Sequence, residues 1–294
     1  MTMANLQYVA PESLADALRI KSESGAGARV IAGGTDLILR MRDRVFTPEL
    51  LVDLRRIPLT GISRSNGEMS IGPSVTLSQI LAHDEIAALF PALIEACRPF
   101  AGPPIRNRAT LGGNIVNASP AADLVPPLLA YDASIILSSE SGDRRLALSE
   151  FFTGPGQTVM EHDEILTDVR LPLMPADTSA HFIKLGQRRS MAISIVNLCT
   201  RLSLAEDRTI VAARVALGSV APTPLRVIAA EDALTGMKAS SELLDQAAQL
   251  ASEEISPISD ARASGDYRRR MTRVLVRRAL MVNRNELTEA ESDE

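Results

Sequence analysis

Only two cysteines occur in the 294 residues, Cys97 and Cys199, far apart and outside any C-x-x-C spacing. That scarcity excludes a disulfide scaffold, a structural zinc site and an iron–sulfur cluster ligated by this chain alone. Both stand among apolar neighbours, as buried small hydrophobes do. Histidine is scarce too: His83, His162 and His181 are isolated, show no metal-ligand spacing, and read as surface or packing residues. No apolar run approaches the ~20 residues of a membrane span. The first residues, MTMANLQYVAPESL, lack a basic stretch followed by an apolar core, so no signal peptide is expected and the cytoplasm is the expected compartment. An excess of positive charge is also missing. Against 31 Lys and Arg stand 36 Asp and Glu, a formal net charge of −5, which argues against nucleic acid or anionic lipid as a partner.

Several nucleotide and catalytic signatures are missing as well. No G-x-x-x-x-G-K-[ST] loop and no G-x-S-x-G elbow occurs. GAGARV, Gly25 to Val30, has part of the dinucleotide spacing, but it precedes a strand instead of following one, and Val30 stands where the third glycine belongs.

What is present is the composition of an ordinary globular protein, 46% hydrophobic and 23% charged. At roughly 150 residues per domain the length suggests two domains, or three small ones. The first part alternates strand and helix. Leu6–Val9 reads as a strand, Pro11 as a first helical turn with Leu14, Ala17, Leu18 and Lys21 at helical spacing, and Val30–Ala32 as a strand. A helix through Leu37, Ile38 and Met41 and a strand at Leu50–Val52 complete a β-α-β pattern with helices packed on a sheet. From Ile57 the pattern predicts strands at Met69–Ile71, Ala133–Leu137 and Arg144–Leu148. Helical stretches are predicted at Leu77–His83 and Ala87–Cys97, a turn-rich passage at Thr110–Pro120, and an apolar segment at Leu124–Ala130. Pro172, Pro175 and Asp177 mark a boundary. Beyond it strands are expected at His181–Leu185, Ile195–Leu204 and Ile210–Leu217, then helices at Val227–Leu234, Ser241–Ser252 and Asp266–Asn283. Strands followed by helices predict a separate α+β unit. On the last helix Met271, Val274, Leu275 and Val282 form the apolar stripe, and Arg268, Arg269, Arg270, Arg273, Arg277 and Arg278 read as a solvated face. The acidic residues after Leu287 read as a frayed tail.

Two glycine pairs carry the chemical signal. VIAGGTDL, Val30 to Leu37, delivers two glycines and a threonine from a strand to a helix start. Glycine lets the backbone turn sharply and lets a ligand approach its N–H groups, and helix-start N–H groups lack helical partners. The bland alternative is a tight strand-to-helix connection. Asp36 reads as a helix N-cap, since a carboxylate would repel phosphate. TLGGNIVNASPAADLVP, Thr110 to Pro126, repeats the pair, with Asn114, Asn117, Ser119 and Asp123 able to meet hydroxyl groups. Two such segments suit a diphosphate held between them. Asp123 is read either as a cap for the following apolar run or as an acceptor for cofactor hydroxyls; in the second role its removal is expected to weaken binding and leave the fold nearly intact. KLGQRR, Lys184 to Arg189, follows a strand and concentrates positive charge.

Taken in order, AGGTDL, FAGPPIRNRATLGGNIVNASPAADLVP, EILTDVRLP, KLGQRR and GSVAPTPLR resemble the FAD-binding medium subunit of molybdenum hydroxylases, the family that includes aerobic carbon monoxide dehydrogenase and the flavin domain of xanthine dehydrogenase. The resemblance covers nearly the whole chain. It implies an α+β fold in which two α/β subdomains, 1–56 and 57–176, clasp FAD in the PCMH-type manner. A C-terminal unit, 177–294, adds an antiparallel sheet with helices. It further implies that Ile31, Ala32, Gly33, Gly34, Thr35, Asp36 and Leu37 wrap the diphosphate together with Thr110, Gly112, Gly113 and Asn114. Phe100 is implied to lie near the flavin ring, Asp123 to bond the nucleotide, Leu166 to line the adenine side, and Lys184 to sit near the flavin. Some relatives place an aromatic residue in the loop that here holds Met191 to Ser194; Ile193 at that position leaves this face of the ring more open. No catalytic acid or base is implied in this chain. The molybdenum cofactor is expected on a large partner subunit and the iron–sulfur clusters on a small one, the whole assembling as a dimer of heterotrimers. A self-contained flavin oxidase or reductase, and a scaffold using its glycines structurally, are the rival readings.

Overall fold

The computed structural model describes residues 6–188 and 191–289. Arg189 of the basic KLGQRR run and the acidic tail after residue 289 lie outside the described residues. In the first unit, β1 (Gln7–Val9) leads through α1 (Leu14–Ser24) to β2 (Ala28–Ile31), and α2 (Leu37–Arg42) leads on to β3 (Leu50–Asp53). The three strands form a parallel sheet ordered β1-β3-β2. Parallel neighbours need crossover connections, and the alternation of strand and helix supplies them. Ser13, rather than Pro11, sets the start of α1, its Oγ accepting from the Asp16 N–H at 3.1 Å. Ala17 and Leu18 pack over Ala28 and Val52 in a small core.

The second unit begins with β4 (Ile62–Ser65) and β5 (Glu68–Ile71). Then come α3 (Leu77–Leu81), α4 (Asp84–Leu89), α5 (Pro91–Cys97), α6 (Pro103–Arg106), α7 (Leu111–Val116) and α8 (Val125–Ala130). β6 (Ser134–Ser139), β7 (Gly142–Ala147), the short pair β8 (Phe152–Gly154) and β9 (Gln157–Thr158), and β10 (Ile165–Pro172) follow. The five-stranded sheet runs β4-β5-β10-β6-β7, all antiparallel. The helical stretch expected at Ala87–Cys97 is two helices. Phe90 leaves the helical region (φ −135°, ψ 58°) directly before Pro91, the restriction proline places on its predecessor. The turn-rich passage expected at Thr110–Pro120 holds a helix, α7, so the second glycine pair lies inside a helical turn.

The third unit is an antiparallel sheet of β11 (Thr178–Gly186), β12 (Ser194–Leu204), β13 (Ile210–Gly218) and β14 (Leu225–Arg226). α9 (Ile228–Leu234), α10 (Ser241–Glu254) and α11 (Gly265–Glu289) follow it. β11 extends past the expected His181–Leu185 strand at both ends, and the first residues of the KLGQRR run, Lys184 to Gly186, lie within it. β12 is buried along its whole length. Leu198 and Leu202 join the core shared with α10 and α11, while Cys199 joins the core of the second unit. Asp132, just after α8, accepts from Arg201 at 2.9 Å, Arg214 at 2.8 Å and Arg226 at 3.0 Å, which fastens this sheet to the second unit.

The expected solvated face of α11 is corrected at its start. Arg268 is buried and donates to the Ile195 and Ser219 carbonyls at 2.6 and 3.0 Å, with Asp260 at 2.9 Å. Arg269 donates to the Ser252 carbonyl and Arg277 to Asp245. Leu275, Val276, Ala279 and Leu280 make the buried stripe, and Met271, Val274 and Val282 are only half-buried. A guanidinium at the core edge survives because backbone carbonyls and a carboxylate replace its water.

One contact between the units depends on pH. The His181 Nδ1 lies 3.0 Å from Glu95 Oε1, and the Phe182 N–H donates to Glu95 Oε2 at 2.7 Å. The hydrogen bond to Glu95 raises the His181 pKa, with burial opposing it. A folded-state pKa raised above the ordinary ~6.5 stabilises fully below that pH, and the gain fades as pH rises through the folded value. Melting temperature is therefore expected to fall more between pH 6 and 8 in the wild type than in Glu95→Gln. Parallel pH curves for the two proteins would show that the pair contributes nothing.

Candidate functional site

A cleft of about 830 Å³ is lined by the first two units and by part of the third. Every residue that the resemblance assigned to the cofactor lines it except Gly33 and Gly34. Ile31, Ala32, Thr35, Asp36 and Leu37 come from the β2–α2 connection, and Phe100, Thr110, Gly112, Gly113, Asn114 and Asp123 from the second unit. Leu166 comes from β10 and Lys184 from β11. Met191, Ala192 and Ile193 add to the lining, and Ile193 is half exposed.

The two glycine pairs differ in what requires them. A Cβ at Gly33 would lie 1.9 Å from the Arg108 carbonyl oxygen, and Arg108 Nε donates back to the Gly33 carbonyl at 3.2 Å. Gly33 thus lets the β2–α2 connection seat on the backbone that leads into Thr110. Gly34 has φ +71°, a left-handed conformation that favours glycine. A Cβ at Gly112 would meet Pro73 Cβ at 2.5 Å, whereas one at Gly113 would meet only the Thr110 hydroxyl, at 2.9 Å. Gly113 is the member that faces the cleft without a backbone against it.

Several side chains have jobs the sequence did not announce. Thr110 Oγ1 caps α7 by accepting from the Gly113 N–H at 3.1 Å. Asp36 occupies the N-cap position of α2, but its carboxylate makes no cap bond and faces Arg40 Nε at 3.5 Å. Asn117 Oδ1 accepts from Arg40 Nη1 at 3.1 Å, across the first two units, and Ser119 Oγ accepts from the Ala121 N–H at 3.3 Å. Asp123 is no cap: Leu124 holds that position before α8, and no side chain bonds there. The Asp123 carboxylate accepts from Lys184 Nζ at 2.6 Å, Ser194 Oγ at 2.5 Å and Asn197 Nδ2 at 2.9 Å. Both members of the ion pair are almost fully buried. Removing this carboxylate therefore touches the fold as well as the cleft, against the expectation of a fold left nearly intact.

Lys21, Arg29, Arg40 and Phe46 also line the cleft and were not read as site residues. Lys21 Nζ donates to the Ala28 carbonyl at 3.0 Å, and burial depresses its pKa. Its charge on the apolar phase of α1 was the available signal.

The arrangement fits a large ligand that carries polar groups. Asn114 Oδ1 is buried without a hydrogen-bond partner, a state that costs about 1–3 kcal/mol unless a donor meets it. Asn114 belongs to the lining, and a turn of its amide would bring this oxygen to a donor on a bound ligand.

Comparison with known proteins agrees. Residues 4–174 match the FAD binding domain in molybdopterin dehydrogenase, and residues 181–282 match the CO dehydrogenase flavoprotein C-terminal domain. The chain belongs to this flavoprotein family. The carbon monoxide dehydrogenase medium chain of Hydrogenophaga pseudoflava is 31% identical over 95% of this chain and 97% of its own length. The xanthine dehydrogenase FAD-binding subunit of Escherichia coli O157:H7 is 32% identical over 93% and 94%. A crystal structure of Cu,Mo-CO dehydrogenase in its cyanide-inactivated form superimposes with a TM-score of 0.93 at 32% identity, covering 97% of this chain and 99% of that one.

As a member of this family, the chain is the FAD-binding subunit of an oxidoreductase of the molybdenum hydroxylase type. Neither cysteine of the flavoprotein reaches the cleft; both are buried, and burial pushes the Cys97 thiol up to about 12. Among the described residues no cluster of three or more His, Cys, Asp or Glu could hold a metal. No described helix is long and apolar enough to cross a membrane.

Proposed function

We propose that this chain holds FAD in the cleft on the electron route from iron–sulfur clusters of a small partner subunit to an external acceptor. The organic or inorganic substrate is oxidised at a molybdenum cofactor on a large partner subunit, and the assembly is a dimer of heterotrimers in the cytoplasm. The observation that carries the reading is one cleft that gathers two distant glycine segments and an orphaned Asn114 oxygen. FAD supplies the chemistry of accepting electrons singly and releasing them singly or in pairs.

The protein's own part is binding and orientation. The segments around Ile31–Leu37 and Thr110–Asn114 embrace the diphosphate, with Gly113 giving the backbone approach. Asn114 Oδ1 accepts from a hydroxyl or N–H of the cofactor, Phe100 and Leu166 supply apolar walls, and Lys184, pinned by Asp123, fixes a positive charge at the flavin side. The division into 1–56, 57–176 and 177–294 belongs to the same reading, supported by three apolar cores, each centred in one of these segments.

Two tests follow from the residues present. His162 is the one histidine in the lining, it stands beside Gly25, and both cysteines are elsewhere. FAD is therefore expected to be non-covalent, all of it entering the supernatant on heat or acid denaturation; flavin retained on the denatured chain would refute this. The isolated subunit, loaded with FAD, is expected to leave purines, aldehydes and carbon monoxide unoxidised. Turnover without molybdenum or iron would replace this reading with a self-contained flavin oxidase.

A further inference from the structure

Arg29, on β2, stacks its guanidinium over the Phe46 ring at 4.2 Å, and Arg40, on α2, lies over the same ring at 4.9 Å. All three line the cleft. Two like charges around one ring repel, so an anion placed against them is favoured, and Arg29 is exposed, so a ligand can reach it. The other charges of the lining are largely matched. Lys184 is bound by Asp123, Arg40 faces Asp36, and Glu164 is bound by Arg144 from outside the lining. Lys21 donates to a backbone carbonyl. Glu161 and Asp123 complete the carboxylates of the lining, and neither bonds Arg29. Arg29 has no ion pair and no hydrogen bond to any described residue. Partial burial, and next the neighbouring Arg40 charge, lower its pKa from the ordinary guanidinium value.

Packing accounts for the stack but not for the unpaired charge. A guanidinium presents five N–H donors, and a phosphate is the acceptor group that suits its fork. Arg29 lies two residues before Ile31, on the strand that enters the first glycine segment. Resting on the reading of the cleft as an FAD site, we propose that Arg29, braced on Phe46 beside Arg40, is a phosphate-binding residue that meets the diphosphate of the dinucleotide. Arg40 is the positioning partner. Its bonds to Asp36 and Asn117 hold it in place, and its charge leaves Arg29 in need of an anion.

The test is FAD titration by flavin fluorescence on the full chain at low and high salt, for wild type, Arg29→Lys and Arg29→Gln, with melting curves of the apo proteins. Expected is a loss of FAD affinity of at least tenfold in Arg29→Gln, with weaker salt dependence. Arg29→Lys, which keeps the charge but not the fork, should recover part of the affinity, and apo melting should change little, because only the stack on Phe46 is lost. FAD affinity within twofold of wild type in Arg29→Gln would overturn the proposal. So would an Arg29→Lys as weak as Arg29→Gln, or apo melting that falls in step with affinity. If the wild type itself binds no FAD, the reading of the cleft fails, a result visible before any variant is made.

Discussion

Asp123→Ala is expected to melt on the order of 10 °C below the wild type even without FAD. The substitution strips a nearly buried ammonium, Lys184, of its counter-charge, leaves Ser194 Oγ without its acceptor, and leaves Asn197 Nδ2 only the Ala122 carbonyl at 3.4 Å. Removing one partner of a buried pair costs about 3–5 kcal/mol, because the remaining charge stays desolvated. FAD affinity should fall as well, by about ten- to a hundredfold, since the Lys184 and Ile193 segments of the lining hang from the same carboxylate. The double variant Asp123→Leu/Lys184→Met separates the two effects. It leaves no lone charge and should regain most of the apo stability without regaining FAD. An apo melting temperature unchanged in Asp123→Ala would show that the ion pair does not brace the third unit against the second.

Gly33→Ala should be nearly as damaging, for a reason that is not chemical. The added methyl carbon meets a backbone oxygen at 1.9 Å, and a backbone cannot swing aside as a side chain can. Overpacking of this kind costs on the order of 3 kcal/mol. The displaced Arg108–Thr110 segment would take the cap of α7 with it, so FAD binding should be lost together with stability. Gly113→Ala should give the opposite pattern. Alanine favours a helix over glycine by roughly 0.5–1 kcal/mol, which offsets the strain its methyl puts on the capping Thr110 hydroxyl at 2.9 Å. Stability should hold while FAD affinity falls, because the methyl stands in the cleft. Apo melting curves and flavin titrations of both variants decide the matter. A Gly33→Ala protein that keeps its stability would remove the backbone contact from the account.

The sequence carried the family and the two glycine segments that line the cleft, and its failures have physical causes. β10, the central strand of the second sheet, escaped periodicity because a register shift between Leu166 and Asp168 breaks the alternation of its buried residues. α7 read as turns because two glycines fall inside it, although its cap, Thr110, was in plain view. Gly33 was legible as a residue that must be glycine, yet the reason visible only in three dimensions is Arg108. Arg29, Phe46 and Arg40 look unrelated along the chain, since a stack on one ring leaves no spacing signature. Asp123 stands in the second glycine motif, but its three donors come from β11 and β12, at least 61 positions away, and no local pattern announces them.

The same long-range carboxylates limit how this subunit could have been assembled or trimmed. Asp123 and Asp132 both belong to the segment that builds the cleft, and their cationic or hydrogen-bonding partners sit on the last sheet. A shortened version without that sheet would leave acidic groups and apolar helix faces open to water, so the flavin-holding half is a poor candidate for recombination as an interchangeable cassette. Gene fusions and splits that preserve such a protein would fall at its outer edges, and the two parts would be inherited together.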